Sequence, residues 1–386
     1  MSFETEKTNQ RTIICVDLNA FYPSCEELRN QSLKGKAHAV IMTDQPKGSI
    51  TRGVVSSCSY EARKYGVTSA MPLSRALALC PTLELLPVDI PYYSKVSQQV
   101  MAVLEGFTDV LEVASIDEAF LDCSSRIKYP DNEAMLVQYA NGIKNALKEK
   151  CELLCSVGVA PTKSAAKMAS DFQKPDGLTV IAPMKLKDFL SPLAVGGVAG
   201  IGPKTESALN ELSITTLGQL ASADVQMLTE RFGKNGLWMW KVANGTDDEP
   251  VVPRGDHVAI STETTLDAFT RDRERLKIIL LELANEISNR ATEHGYTYRT
   301  VGIKLVRTDF NIETRETTFE LARNDKAIIE SAIGILLDKF KLSDDLPAVR
   351  KIGLKLSHLF RKDGQAAEGS QGTRNSGLQK TMRDYL

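Results

Sequence analysis

The chain has 386 residues, of which 42% are hydrophobic and 25% charged, and its formal net charge is −2. That length exceeds one ordinary core and predicts about two to four globular domains. No apolar run approaches the roughly 20 residues of a membrane helix, the polar, acid-containing start MSFETEKTNQ reads as neither a signal nor a transit peptide, and the near-neutral charge confines any nucleic-acid-binding surface to a local patch.

Taken in chain order, TIICVDLNAFY predicts an apolar strand running into a turn, SCEELRNQSLKGK a short helix and AHAVIMT a strand. GVVSSCSYEARKYGV passes from strand to helix, and SAMPLSRALALCP predicts a second helix. PYYSKVSQQVMAVLEGF has helical spacing, with Val96, Val100, Val103 and Leu104 on one stripe. VASIDEAFLD reads as one strand, followed by the helix NEAMLVQYANGIKNALKEK, the strand LLCSVGVA and the helix TKSAAKMASDF. With the insert between residues 21 and 88 set aside, the order is β, α, β, α, β, and a short strand within FLDCSS would complete a split βαβ arrangement.

Residues from about 185 to 250 form short helices broken by Gly and Ser, and DDEPVVPRGDH, without periodicity, reads as a linker. Beyond it come a strand at AISTETT, a helix over 272–294, strands over 297–308 and 313–321, a helix over 325–340 and a strand over 349–358, an independent α+β unit. From Arg361 the apolar content ends and disorder is expected, before the chain closes on LQKTMRDYL. The cysteines number 7 and several lie in apolar segments, which predicts reduced, buried thiols in a cytosolic protein. Cys151 and Cys155 lack the further Cys or His of a zinc site.

Asp117 and Glu118 stand side by side in VASIDEAFLD, where a regular strand would point them to opposite faces. Taken alone, the pair also fits a solvated strand end, or Asp117 closing a turn. A third acid, Asp17, ends the equally apolar IICVD. Desolvating an ion costs several kcal/mol, so buried acids call for partners. Mg²⁺ is the natural one, because it takes carboxylate oxygens together with substrate phosphates. Two such ions, about 4 Å apart, stabilise the attacking and leaving oxygens of a phosphoryl transfer. A hairpin turn or a β-bulge at the dipeptide would let both carboxylates face one site.

Phe21 and Tyr22 follow Asp17 closely, and Tyr60, Arg63 and Lys64 share one helix face in YEARKYG. A cationic face beside a metal site suits a triphosphate, although by itself this helix reads better as a solvated charged face. In VAGIGPKTESALNEL, Gly200 and Gly202 let the backbone approach a phosphate at a helix start marked by Pro203, with Lys204 next to it. VGIKL and IGLKL share a pattern in which Val301, Ile303, Leu305, Ile352, Leu354 and Leu356 face a core. Gly302, Lys304, Gly353 and Lys355 then form a low-relief cationic face that can follow a phosphate backbone. Arg299 and Arg307 have the parity of the apolar face and fall at the strand ends.

VDLNAFYPSCEE, SYEARKYGV, ASIDEAFLD, SVGVAPTKSAAKMASDFQKPDG and VAGIGPKT, in that order and spacing, resemble the Y-family, DinB-type lesion-bypass DNA polymerases over about residues 11–360. The resemblance implies an α+β multidomain right hand: a ferredoxin-like palm (11–20 and 88–182), small fingers (21–87) and an all-helical thumb with a helix-hairpin-helix (183–250). A linker (251–259), a βαββαβ little finger (260–360) and a tail complete it. It implies two Mg²⁺ ions, with Mn²⁺ as an alternative, held by Asp17, Asp117 and the Leu18 carbonyl. Glu118 would then be the catalytic acid and a ligand of the primer-side ion, beside the primer 3′-hydroxyl, and Tyr22, next to Phe21, the aromatic gate against a 2′-hydroxyl. Tyr60, Arg63 and Lys174, with Ser57 as helper, would hold the dNTP triphosphate. TDQPKGSITRG (43–53) differs in length from some relatives, leaving the templating-base pocket open.

The implied partners are primer–template DNA and dNTP, and the protein is expected to be a cytoplasmic, nucleoid-associated monomer without a membrane anchor. At the C-terminus, Gln379, Met382, Tyr385 and Leu386 resemble the peptide that docks on PCNA-type sliding clamps, which points to an archaeal or eukaryote-like replication system. The rival readings are a non-catalytic DNA- or clamp-bound scaffold on the same fold, and a nucleotidyl cyclase. The first would be favoured by loss of any of the three acids; the helix-hairpin-helix turn and the lysine face argue against the second.

Overall fold

The computed structural model describes residues 11–42, 53–127, 133–253, 255 and 257–361. Its contacts separate two compact units, one within residues 11–253 and one within 257–361.

The first unit opens on β1 (Ile13–Leu18), all six residues of which are buried. A strand covered on both faces shows a continuous apolar run and no alternation. Next come α1 (Phe21–Arg29), β2 (His38–Met42), β3 (Val54–Cys58), α2 (Tyr60–Lys64), α3 (Leu73–Leu79) and β4 (Glu84–Pro87). α1 starts earlier than expected, at Phe21, so both aromatics after Asp17 ride on its first turn. β4, too short to show a period, escaped the sequence reading. Strands β3, β2 and β4 form a small sheet whose core includes Ile41, Val55 and Leu73.

The chain continues through α4 (Ile90–Glu105), β5 (Val110–Val113), β6 (Glu118–Asp122), α5 (Glu133–Cys151), β7 (Cys155–Ala160), α6 (Lys163–Phe172) and β8 (Leu178–Val180). These strands form a five-stranded sheet of order β5-β6-β1-β7-β8. Without the insert, β1-α4-β5-β6-α5-β7 is the ferredoxin-like βαββαβ order, and β8 pairs parallel to β7. Val96, Val100 and Leu104 of the α4 stripe are buried, and Val103 is half-buried.

VASIDEAFLD is not one strand: Val113 ends β5, the chain turns, and β6 carries the acidic Glu118 and the first three residues of FLDCSS, so the second strand of the hairpin begins earlier than expected. The break is a tight turn at residues 114–117, where the Ala114 and Ser115 amides both donate to the Glu118 carbonyl, at 3.0 and 3.1 Å. α6 packs on β7 and β1. At Gly158 of β7 a Cβ would lie 2.1 Å from the Ala166 carbonyl oxygen and 2.3 Å from the Ser170 amide nitrogen. Only glycine admits a helix backbone that close to a strand.

Helices α7 (Leu186–Leu190), α8 (Pro203–Glu211), α9 (Leu217–Ser222), α10 (Val225–Phe232) and α11 (Lys234–Ala243) follow. Their apolar faces share a core with α6, joining Leu209, Leu217, Leu228 and Met239 to Ala165, Met168 and Ala169. Val251 enters the same core, and the Val252 amide donates to Glu112 Oε2 at 3.1 Å, so this part of the expected linker is held to the first unit.

In the second unit, β9 (Ala259–Thr270), α12 (Arg273–Glu293), β10 (Tyr296–Arg307), β11 (Ile312–Arg323), α13 (Lys326–Leu337) and β12 (Val349–Arg361) repeat the βαββαβ order. The sheet is antiparallel, of order β11-β10-β12-β9. Val301, Ile303, Leu305, Ile352, Leu354 and Leu356 are all buried beneath the two helices. Arg307 is buried and satisfied by Glu313 at 2.5 Å and by the Pro347 and Lys341 carbonyls; Arg299 donates to the Phe319 carbonyl at 3.1 Å. Arg307 thus ends β10 as expected, whereas Arg299 lies inside the strand, at a register irregularity between Tyr298 and Thr300. The fold class is as expected. The cysteines of the chain are all free thiols, and among the described residues no helix is long and apolar enough to cross a membrane.

Candidate active site

Asp17, near the end of β1, pairs in register with Glu118, the first residue of β6. Directly opposed residues of an antiparallel pair present their side chains on one face, so Glu118 meets Asp17 across the ladder. Asp117 arrives differently, from the last position of the turn. Its carbonyl accepts from the amide of buried Leu18 at 2.9 Å, and its Oδ1 accepts from Ser115 Oγ at 2.6 Å. The chain therefore turns at the dipeptide and needs no bulge there.

α6 supplies the opposing charge. Lys163, Lys167 and Asp171, spaced four apart, lie along one side of the helix. Lys167 Nζ is 2.6 Å from Asp17 Oδ2 and 2.5 Å from Glu118 Oε2. Lys174 Nζ is 2.7 Å from Asp17 Oδ1 and 2.6 Å from Asp171 Oδ1. Burial pushes the Asp117 and Glu118 carboxyls up, with Lys167 offsetting part of the effect at Glu118. Although burial opposes it, the charges of Glu118 and Asp17 hold the Lys167 ammonium well above the usual lysine range. Lys167 was not singled out from sequence. Its only signal, charges spaced four apart, is that of any solvated helix.

Among the described residues no group of three or more His, Cys, Asp or Glu side chains forms a ready-made metal cage. Lys167 stands between Asp17 and Glu118 and marks a position where a cation bridges two carboxylates. The donors are hard oxygens on rigid strand ends, the set Mg²⁺ prefers, and the ammonium sits on a flexible stem that can withdraw. The residues present therefore fit a divalent cation.

Around this centre, Tyr22 is 4% exposed, with its ring centroid 5.8 Å from that of Phe21 and 4.4 Å from that of Tyr93. Burial and the charge of Asp117 raise its phenol. Ser59 caps α2, accepting from the Ala62 amide at 3.2 Å. Burial raises the half-buried Tyr60 phenol, which also feels the charges of Arg63, Lys174 and Asp17. The Arg63 guanidinium lies 4.7 Å from the centre of the Tyr60 ring, and its Nε donates to the Cys58 carbonyl at 3.3 Å. Ser57 lies half-buried in β3, and Lys64 is exposed at the end of α2. Asp17, Asp117, Glu118 and Lys174 thus come together, with Tyr22 and Tyr60 beside them.

Gly200 adopts φ +112°, and a Cβ there would lie 2.5 Å from the Trp238 ring. Its absence of a side chain serves a backbone turn and an aromatic lid at once. Gly202 caps α8 with open space in front of it, and Lys204 is exposed on the first turn. In the second unit, Lys304 lies opposite Gly353, and Gly302 opposite Lys355. The alternation leaves a shallow pocket of about 350 Å³, lined by Gly302, Lys304, Thr314, Glu316, Gly353 and Lys355 among others. Glu263, missed by the sequence reading, binds Lys304 at 2.8 Å and Lys351 at 2.5 Å. Burial opposes ionisation, but the two lysines hold the Glu263 carboxyl below its ordinary value. Residues 43–52 and the C-terminal Gln379, Met382, Tyr385 and Leu386 lie outside the described residues.

Residues 16–171 match the family described as impB/mucB/samB, and residues 257–373 match its C-terminal domain. A DNA polymerase IV of Methanoculleus marisnigri is 43% identical over 352 residues, covering 91% of this chain and 95% of the relative. The chain belongs to the Y family of DNA polymerases. A DNA polymerase IV of Methanosarcina mazei is 38% identical, covering 86% and 89% of the two chains. Among solved structures, a Y-family DNA polymerase chimera superposes with a TM-score of 0.81 at 31% identity, covering 91% and 99%. DinB from Sulfolobus solfataricus does so with 0.62 at 32% identity, covering 90% and 98%. The activity of this Y-family chain is that of a DNA-directed DNA polymerase.

If Lys167 is the counter-ion of this acid pair, Lys167→Met should lower stability in chelated buffer by about 1–3 kcal/mol, less than for a fully buried pair. Added Mg²⁺ should then raise the melting temperature more in the variant than in the parent. Equal denaturant midpoints for the two proteins in chelator would refute the counter-ion role.

Proposed function

We propose that this Y-family polymerase extends a primer 3′-hydroxyl opposite damaged template bases by two-metal nucleotidyl transfer, with low fidelity and frequent dissociation. One observation carries the reading: Asp17 and Glu118 meet across a strand pair, with Asp117 in the adjoining turn. Two bound divalent cations, Mg²⁺ or alternatively Mn²⁺, would neutralise the triphosphate and the attacking and leaving oxygens.

The chain itself supplies positioning and electrostatics. Asp17 and Asp117, with the Leu18 carbonyl, would hold the ions, and Glu118 would lie on the primer side, beside the 3′-hydroxyl. Tyr60, Arg63 and Lys174, helped by Ser57, hold the triphosphate, which Lys174 reaches by exchanging Asp17 and Asp171 for phosphate. Tyr22, beside Phe21, walls off the 2′ position of the sugar. The five-stranded sheet suits a palm of residues 11–20 and 88–182, and the small sheet suits fingers of 21–87. The short helices suit a thumb of 183–250, and the second unit suits a little finger of 260–360 after a 251–259 linker. Gly200, Gly202 and Lys204 would receive one phosphate stretch of primer–template DNA, and Lys304 and Lys355 another, after Glu263 gives up Lys304. Residues 379–386 would dock on a PCNA-type clamp, their tether raising effective concentration. The enzyme would act as a cytoplasmic, nucleoid-associated monomer.

Primer extension with Mg²⁺ and dNTPs should be template-dependent in the parent, and Glu118→Ala should slow it by about a hundredfold or more, as for loss of a group acting only in the transition state. Extension by the variant at the parent rate would sink the assignment. Replacing both Lys304 and Lys355 by Glu should weaken duplex binding and flatten its salt dependence, since each lost phosphate contact removes about one unit of slope; an unchanged slope would refute the lysine face. Deleting residues 379–386 should leave basal extension intact and abolish stimulation by an added clamp, whereas equal stimulation would exclude the peptide.

A further inference from the structure

Tyr22 is backed by another aromatic ring. Its partner is Tyr93 of α4, stacked at 4.4 Å between centroids with 19° between planes. The Tyr93 side chain is fully buried, and its hydroxyl donates to Glu26 Oε1 at 2.6 Å. Tyr22 and Glu26 are four residues apart on α1, hence on one face. One helical turn therefore grips Tyr93 twice, by its ring under Tyr22 and by its hydroxyl on Glu26.

The grip is itself tied down. Arg29 Nη1 lies 3.9 Å from Glu26 Oε1, and Arg29 Nη2 donates to Asp89 Oδ2 at 2.7 Å. Asp89 caps α4 by accepting from the Tyr92 amide at 3.1 Å, and the Arg29 guanidinium lies 3.5 Å from the centre of the Tyr92 ring. α1 and α4 are thereby joined through a closed circuit of Glu26, Arg29, Asp89 and the two tyrosines.

We infer that Tyr93 is the positioning residue that sets the plane of the Tyr22 ring, and with it the enzyme's discrimination between deoxyribose and ribose. The inference rests on the reading of Tyr22 as the sugar wall. Being fully buried, Tyr93 acts through Tyr22. Rejecting a substrate by clash requires a wall that does not yield, and a free phenol ring could tilt away from one added hydroxyl. An offset stack on a ring anchored at its far end removes that freedom.

The test is single-nucleotide incorporation by the full chain, with kcat/KM measured for a dNTP and the matching rNTP. The deoxy-to-ribo ratio should fall sharply in Tyr22→Ala. In Tyr93→Leu it should fall about tenfold, the scale of one lost aromatic pair, mostly through a lower KM for the rNTP. Tyr93→Phe keeps the stack but loses the hydroxyl anchor on Glu26, so its ratio should fall by about threefold, less than in Tyr93→Leu. Glu26→Ala strands the Tyr93 hydroxyl without an acceptor and should lower the ratio by about threefold. If Tyr93→Leu does not fold, Glu26→Ala decides, and a parental ratio there overturns the inference. A parental ratio in folded Tyr93→Leu, with Tyr22→Ala impaired, overturns the role of Tyr93 alone. A parental ratio in Tyr22→Ala overturns the sugar wall, and this inference with it.

Discussion

Two carboxylates face one another across β1 and β6, and a third approaches from the turn, in surroundings that disfavour charge. Like charges this close repel, and burial raises the cost of each. The molecule meets this constraint by placing the Lys167 ammonium between Asp17 and Glu118, with Lys174 on the other oxygen of Asp17. An arrangement that costs free energy without a cation holds the acids ready to take one. The lysines stabilise the site while leaving the carboxylates free to exchange partners.

Much of the first unit serves to put those lysines in place. Lys167 reaches the acids only because α6 lies almost on the sheet, and α6 lies there because Gly158 leaves no side chain between them. Ala165, Ala166 and Ala169 continue the close approach on the helix side. The other end of α6 is fixed by Lys163, paired with Glu112 at 2.7 Å and Glu249 at 3.0 Å. The helix is held at both ends by ion pairs and in the middle by small residues.

The second unit applies the same device on its open face. Lys304 and Lys351 share the Glu263 carboxylate, so part of the cationic surface is internally compensated. Lys355, exposed on the same face, lies opposite Gly302, whose other neighbour across the sheet is Glu316. A polyanion would have to displace Glu263 to gain Lys304, which sets a threshold against weak, unspecific contact.

Patterns of local origin were legible in the sequence. Period-two alternation marked the strands of the second unit, and helical spacing with Pro203 and its glycines marked α8. The apolar run IICVD marked a covered strand ending in an acid. The Y-family motifs themselves were also legible, because motif order survives without coordinates. The β5–β6 hairpin was legible only as one of two alternatives raised by the acidic pair, since VASIDEAFLD carries no Gly or Pro and its turn is held by two amides converging on one carbonyl. Lys167, Glu263 and Tyr93, whose partners lie far away in sequence, were not legible. Residue types and their local spacing announced which chemistry was present. Register, close packing and the exchange of charge between distant segments decided where each group points, and those depend on contacts that form only once the chain has folded.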